Sequence, residues 1–319
     1  MAERRIEGLA YGGLGSVELR VALIEELARV VPFETAFLPA ADPATLLYTG
    51  AVRHGMPDGV TPQFLDNEFR IPDVNKFRDL ARLPRAVATL DAVTGGDRAA
   101  SPRYRDIMGP IGLGDELRVV FRTGPTTWGY ACLHRGGGMS FDEREVAFME
   151  HVAPHVAEGL RRASLMERAV HDATLDGPGI VMLAADRSLA AATPAGERWM
   201  DELAATEQPR PRGLPLAILA VAQALEQVNH SQNAPRLTVR SASGRSLVLH
   251  ASHLASPAGT QTAIVIEPAS RAQLEPAIVA GYALTPREAE TLTLLLRGLP
   301  TKQIATTLQI TAHTANDHI

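Results

Sequence analysis

The nineteen residues TKQIATTLQITAHTANDHI, Thr301 to Ile319, hold side chains suited to contact with DNA. Lys302 can reach a phosphate of the flanking backbone, and Thr311, opening a helix, helps backbone N–H groups meet another. Asn316 has the donor and acceptor that a bidentate adenine contact needs, and Asp317 can accept from cytosine N4. The alternative for Asp317 is a solvated carboxylate that mildly repels phosphates. Thr314 shares the faces turned away from the core, with His318 near their edge. The formal net charge is −5, so no basic field surrounds the chain and any such contact has to be local. Around these residues Arg287, Arg297 and Lys302 are offset by Glu288, Glu290 and Asp317.

Other chemistry is sparse. His151 and His155 stand four apart on a helix, a spacing that can hold a metal, but Pro154 intervenes and no third ligand accompanies them. His250 and His253 point to opposite faces of a strand. Cys132, in WGYACLHR, is the only cysteine. It excludes an intramolecular disulfide framework and a multi-cysteine zinc site, and its apolar surroundings suit an inert strand residue. The glycines at 136–138 lack the Gly-Lys-Ser/Thr ending of a phosphate loop, and there is no Gly-x-Ser-x-Gly elbow. No catalytic constellation, cofactor or metal is expected.

The elements that must position these residues fall into three segments, at residues 1–170, 173–270 and 271–319. The first opens with a helix from Ser16, which is expected to cap it, with Val17, Leu19, Val21, Leu23, Ile24, Leu27 and Val31 broadly on one stripe. Two strands joined at Asp42-Pro43 follow, then a polar stretch at 57–115, then a hairpin turning at Thr123-Gly124-Pro125. Ser140-Phe141-Asp142-Glu143 reads as a capping box opening a helix that continues to about His171. The second segment reads strand, strand, helix, helix and three strands, with a turn at Asp186-Arg187. Its run LPLAILAVAQALE is the most apolar in the chain but too short to span a bilayer. The third segment is helical. Thr285-Pro286-Arg287-Glu288 opens one helix and Gly298 closes it. Ile304, Ala305 and Leu308 turn inward on the next. Gln309-Ile310 makes the turn, and Ala312, Ala315 and Ile319 face inward on the last. This is a helix-turn-helix, whose second helix would lie in a DNA major groove.

LTPREAETLTLLLRGLPTKQIATTLQITAHTANDHI closely resembles the DNA-binding domain of LuxR-family (NarL/FixJ-like) bacterial transcription regulators, over residues 284–319. It departs at Ala315, where the family usually has valine, and at Asn316, where it often has a lysine that contacts DNA. The family completes the recognition helix and adds a fourth, so the sequence as given is expected to be an incomplete domain that binds DNA weakly. DPATLLYTG, GLGDELRVVFR, WGYACLHR and FDEREVAFMEHVAPHVAEGLRRA resemble a GAF domain of the kind that precedes LuxR-type domains in actinobacterial regulators. Such domains often enclose a small molecule between the sheet and the irregular side, here about residues 57–110. Phe64, Phe69, Phe77, Trp128 and Tyr130 would then line the pocket; the plainer alternative is that they are core. His134-Arg135 stand where cyclic-nucleotide-binding members have Asn-Lys, which disfavours that ligand. The strand and helix order of the second segment resembles a PAS-like sensor domain.

The expected fold is α+β and multidomain: a GAF-like antiparallel sheet domain, a PAS-like α/β domain and a C-terminal all-α helix-turn-helix. The expected function is a cytoplasmic, homodimeric, one-component transcription regulator whose partners are double-stranded DNA and a small-molecule effector, with no membrane partner and no enzymatic activity. The alternative is a sensory or scaffolding protein whose degenerate helix-turn-helix contacts another protein.

Overall fold

The computed structural model describes residues 1–319 except 58, 169–176, 228–234, 257–258, 271–272, 275–278, 280, 283, 297 and 319, and except the side chains at 167, 168, 256, 259, 296, 312, 316 and 317. The chain divides into two compact units, Met1–Pro268 and Ala269–Ile319.

In the first unit β1 (Thr35–Ala41) and β2 (Tyr48–His54) form the hairpin expected around Asp42-Pro43. The Asp42 carboxylate holds that turn by accepting from the Ala44 N–H and the Thr45 hydroxyl. β3 (Val87–Thr89), β4 (Leu113–Thr123) and β5 (Thr126–Gly136) complete an antiparallel sheet in the order β2-β1-β5-β4-β3. The turn between β4 and β5 places Gly124 at φ 56°, in the left-handed region that favours glycine. Three helices, α1 (Ala2–Tyr11), α2 (Ser16–Leu27) and, later in the chain, Glu143–Arg168, pack together beside this sheet. The short helices α3 (Thr61–Phe69), α4 (Phe77–Leu80) and α5 (Leu90–Thr94) belong to the irregular stretch, and the Glu143 helix is α6.

Three local expectations are corrected. α1 is a helix that the sequence reading did not assign. α2 is capped by Gly15, whose N–H donates to the Glu18 carboxylate at 3.2 Å, and Ser16 is its first helical residue. At α6 the reciprocal pair is Asp142 and Glu145, each carboxylate accepting the other's backbone N–H at 2.9 Å. Ser140 is engaged elsewhere: its hydroxyl donates to Asp91 and accepts from Arg98. Pro154 lies inside α6 without ending it. The expected helix end near His171 lies outside the described residues.

The second sheet is built from β6 (Gly179–Leu183), β7 (Leu189–Ala192), β8 (Arg236–Arg240), β9 (Ser246–Ser256) and β10 (Gly259–Pro268), with α7 (Pro194–Ala204) and α8 (Leu216–Leu225) between β7 and β8. The strand order is β7-β6-β10-β9-β8, the same permutation as in the first sheet. The apolar run LPLAILAVAQALE is α8, and its composition has a packing reason. Leu216 and Ala220 belong to the core of the first sheet, while Ala217, Ile218, Val221, Ala222 and Leu225 belong to the core of the second. A helix buried on all sides is apolar on all sides.

Polar contacts tie the two sheets together around that helix. Glu207 pairs with Arg53 and accepts the Leu216 N–H, and the Thr238 N–H donates to Asp42 at 3.0 Å. Asp66, on α3, accepts from Arg187 at 2.9 Å and from Gln223 of α8 at 2.7 Å. Partial burial works to raise the Asp66 pKa, but the bonds and charges from Arg187, Gln223 and Arg70 outweigh it and leave it below its ordinary 3.8. A depressed carboxyl contributes stability above its unfolded pKa and loses it as pH falls through the folded one. Asp66→Asn is therefore expected to lower the urea midpoint slightly at neutral pH, by under ~1 kcal/mol because the site is partly solvated. The difference from wild type should shrink as pH falls below 3.8; a difference that stays constant across that range would count against the assignment.

Candidate functional site

The second unit assembles as its local sequence dictates. In the helix Pro286–Leu296 the Thr285 N–H donates to Glu288 at 2.8 Å, and the Glu288 N–H donates back to the Thr285 hydroxyl at 3.4 Å, forming the expected capping box. Gly298, at φ 82°, follows the helix in the left-handed conformation. The helix Thr301–Leu308 ends at Gln309, a non-glycine residue at φ 56°, and the Ile310 N–H closes the turn onto Ala305 O at 3.0 Å. Thr311 caps the final helix, Ala312–Asp317, by accepting the Thr314 N–H at 3.1 Å. Ile304, Ala305 and Ala315 are buried at the centre, against Leu294, Leu295, Leu299, Leu308 and Ile310. Alanine at 315 is thus a core residue here.

Around that core Lys302 and Thr311 are exposed, and Thr314 and His318 are half-buried. The hydroxyls of Thr311 and Thr314 lie 2.9 Å apart and bond to each other. The backbone of Asn316 and Asp317 runs in the final helix, but their side chains, that of Ala312, and Ile319 lie outside the described residues. The arrangement offers one lysine at the start of the supporting helix and a threonine pair at the start of the last. That is enough for local phosphate contact, not for a basic surface.

In the first unit the five aromatic residues do not form one wall. Phe77 and Tyr130 stack with centroids 4.5 Å apart, and Tyr48 joins them, meeting Tyr130 at 5.6 Å and Phe69 at 5.4 Å. Phe64 packs with Leu90, Met108 and Leu113 and touches the His134 ring. Trp128 lies elsewhere, along a separate cleft with Arg20, Asp42 and Thr238; its buried indole N–H has no hydrogen-bond partner among the described residues. Phe64 and Phe77 are the two that border a small cavity of about 30 Å³, together with Glu68, Arg118, Cys132 and His134. A larger cleft of about 910 Å³ shares Met56 and Thr61 with it and is otherwise walled by residues including Arg53, Arg187 and Arg210.

Beside the small cavity lies a buried polar cluster that the sequence reading missed. β1, β4 and β5 pair so that Thr35, Glu116 and His134 stand in one row, with Phe37, Arg118 and Cys132 in the next. Arg103, fully buried, donates to one oxygen of Glu116, Oε2, at 2.6 and 2.9 Å. Arg118 pairs with Glu68 at 2.6 Å and with Glu116 at 3.0 Å, and lies over the Phe77 ring. Asp73 faces Arg103, and Lys76 donates to the carbonyls of Asn67 and Glu68. The Cys132 thiol donates to the other Glu116 oxygen, Oε1, at 2.9 Å, and the His134 ring is within 3.4 Å of both. Burial works to raise the Glu116 pKa, but Arg103 and Arg118 hold the carboxyl well below its usual range. Burial, with the Glu116 charge behind it, pushes the Cys132 thiol well above its usual value. The sequence held one signal for this cluster: Glu116 and Arg118, like Cys132 and His134, are spaced by two in β-rich runs, so each pair shares a face.

Residues 282–319 match the family described as bacterial regulatory proteins, luxR family. No curated protein sequence matches the chain. Among solved structures, the chain is similar to a GAF domain/HD domain protein from Geobacter sulfurreducens, at 17% identity and a TM-score of 0.37, over 48% of this chain and 96% of that one. It is also similar to the GAF domain of an Acinetobacter phosphoenolpyruvate-protein phosphotransferase, at 12% identity and a TM-score of 0.37, over 54% and 96%. Among the described residues no helix is long and apolar enough to cross a membrane.

Proposed function

We propose that the chain is a DNA-binding transcription regulator of LuxR type, a cytoplasmic, non-enzymatic, one-component sensor acting as a homodimer. In this reading residues 1–170 are a GAF-like sensor, 173–270 a PAS-like domain, and 271–319 the DNA-binding segment. The observation that carries it is the helix-turn-helix itself: a supporting helix, a left-handed turn residue and a threonine-capped second helix, within residues that match the luxR family. In this reading Lys302 and Thr311 contact phosphates, and the last helix, whose segment carries Thr314, Asn316, Asp317 and His318, lies in the major groove. A small-molecule effector bound in the first unit would shift how two copies present their DNA-binding segments; of the five aromatic residues, Phe64 and Phe77 border the small cavity there, Trp128 borders a separate cleft, and Phe69 and Tyr130 pack as core.

The test is titration of a labelled fragment of the gene's own upstream DNA with the full-length protein at two salt concentrations. Sequence-dependent binding that weakens as salt rises is expected. Lys302→Ala should reduce the slope of log affinity against log salt by about 1, with little change in sequence preference. A second reading has its own observation. In residues 269–319 Arg271, Arg287, Arg297 and Lys302 are balanced by Glu275, Glu288, Glu290 and Asp317, as suits a helical segment that contacts protein. A folded full-length protein that binds specific and random duplexes equally, or neither, would favour that reading.

A further inference from the structure

We propose that Glu116, Cys132 and His134 form a buried site for one thiophilic d10 metal ion, Zn²⁺ or Cu⁺. The three offer a carboxylate oxygen, a sulfur and a ring nitrogen that all lie within 4.8 Å of one another, and all three residues are buried. The separations are 2.9 Å from Sγ to Oε1, 3.4 Å from Sγ to Nε2 and 3.4 Å from Oε1 to Nε2. A tetrahedral face built on ordinary metal–sulfur, metal–nitrogen and metal–oxygen lengths has edges of about 3.3–3.6 Å, so only the sulfur–oxygen edge has to widen. Backbone pairing delivers this face. Glu116 and His134 are direct partners across β4 and β5, and Cys132 is two residues before His134 on the same side.

Each ligand's orientation is fixed through an atom that the metal does not use. Thr35 Oγ1 bonds His134 Nδ1 at 2.9 Å, leaving Nε2 toward the site. Arg103 donates to Glu116 Oε2, leaving Oε1. Outer contacts of this kind set ring orientation and tautomer in metal centres. The cavity on Cys132 and His134, about 30 Å³, has room for a water-sized fourth ligand. Met56 and Thr61, half-buried on the wall it shares with the large cleft, mark the way in.

Binding replaces the thiol proton: the S–H bond breaks, a sulfur–metal bond forms, and the proton leaves to solvent. In the empty cluster Lys76, Arg103 and Arg118 balance Glu68, Asp73 and Glu116. Exchanging a proton for Cu⁺ keeps that balance. Zn²⁺ adds one positive charge, which a hydroxide at the fourth position neutralises. Metal occupancy holds whether or not the C-terminal unit binds DNA.

The test is titration of tag-free full-length protein, under anaerobic reducing conditions, with Zn²⁺ and separately with Cu⁺ against a chromophoric chelator. Co²⁺ serves as a spectroscopic probe of the Zn²⁺ form. One equivalent per chain is expected, with a thiolate-to-metal charge-transfer band that Cys132→Ser removes while the circular dichroism of the folded protein is kept. Thr35→Val should weaken affinity by roughly 10–100-fold with the band retained, as loss of an outer-shell bond does. The tighter of the two ions identifies the charge state the site accepts. A folded wild-type protein that binds neither ion against the chelator overturns the proposal. So does stoichiometric binding that survives Cys132→Ser, which would point instead to the surface pair His151 and His155.

Discussion

Replacing Glu116 by alanine is expected to destabilise the first unit by about 3–5 kcal/mol, the usual cost of stranding a buried charge. Arg103 is wholly buried and Arg118 nearly so, and both direct their guanidinium groups at the Glu116 carboxylate. Without it, Arg103 keeps Asn67, the Val74 carbonyl and the more distant Asp73, and Arg118 keeps Glu68. Neither can move to water without opening the sheet. Glu116→Gln should recover little, because the amide keeps the shape and loses the charge. The double variant Arg103→Met with Glu116→Leu is expected to be more stable than either single variant, since it removes one charge of each sign and leaves Arg118 with Glu68 and Asp73 with its neutral donors Asn67 and Ser101. Urea unfolding followed by circular dichroism measures all five. A Glu116→Ala midpoint corresponding to less than about 1 kcal/mol of lost stability, the range of an exposed pair, would show that the cluster is solvated and the ion pairs weak.

For Gly159 two principles predict opposite signs, which makes it a sharp test. Gly159→Ala in the middle of a helix should stabilise by about 1 kcal/mol on helix propensity alone. Here a Cβ would stand 2.9 Å from both Cα and O of Ala10, and 2.9 Å from Leu19 Cδ2. Two of those three atoms are backbone, so α1 has to move away from α6. Overpacking of this kind costs about 1–3 kcal/mol and should outweigh the propensity gain. Gly159→Val should be worse, adding two methyl groups to the clash. The expected result is a lower thermal midpoint for Gly159→Ala and faster hydrogen exchange in residues 2–11. Deletion of those residues should convert the same substitution into a stabilising one. A Gly159→Ala protein more stable than wild type with α1 intact would mean that α1 is not seated as described.

Sequence reading succeeded where the rules are local. Thr285, Pro286 and Glu288 announce a helix start within four residues, and Gly298 announces its end. Both hairpins were legible from their turn residues, as was the order of elements in 173–270. It failed where a partner is distant in sequence. By helix propensity alone Gly159 is only a mild weakness in α6, and nothing in the local sequence tells that α1, more than a hundred residues earlier, lies on it. Ser140 offered a plausible cap, but Asp91 and Arg98 claim its hydroxyl, and Asp142 takes the role. The run in α8 announced burial without saying that two cores share it. The Glu116 cluster was the least legible of all. Its ion pairs join α3 and the stretch around Arg103 to β4, and the register of β5 on β4 adds Cys132 and His134.

The strand order has a consequence for how the chain folds as it is made. In both sheets the first strand pairs with the last, β1 with β5 and β6 with β10, so the centre of each sheet is closed by residues far apart in sequence. Thr35 waits for His134, 99 positions later. Until that strand leaves the ribosome, the β1–β2 hairpin keeps an unpaired edge beside its neighbour's future place, and the chain entropy of a long loop opposes closure. A nascent chain stalled just short of β5 should therefore be far more sensitive to protease in β1 than one released a few residues beyond Gly136, a step rather than a gradual gain in resistance.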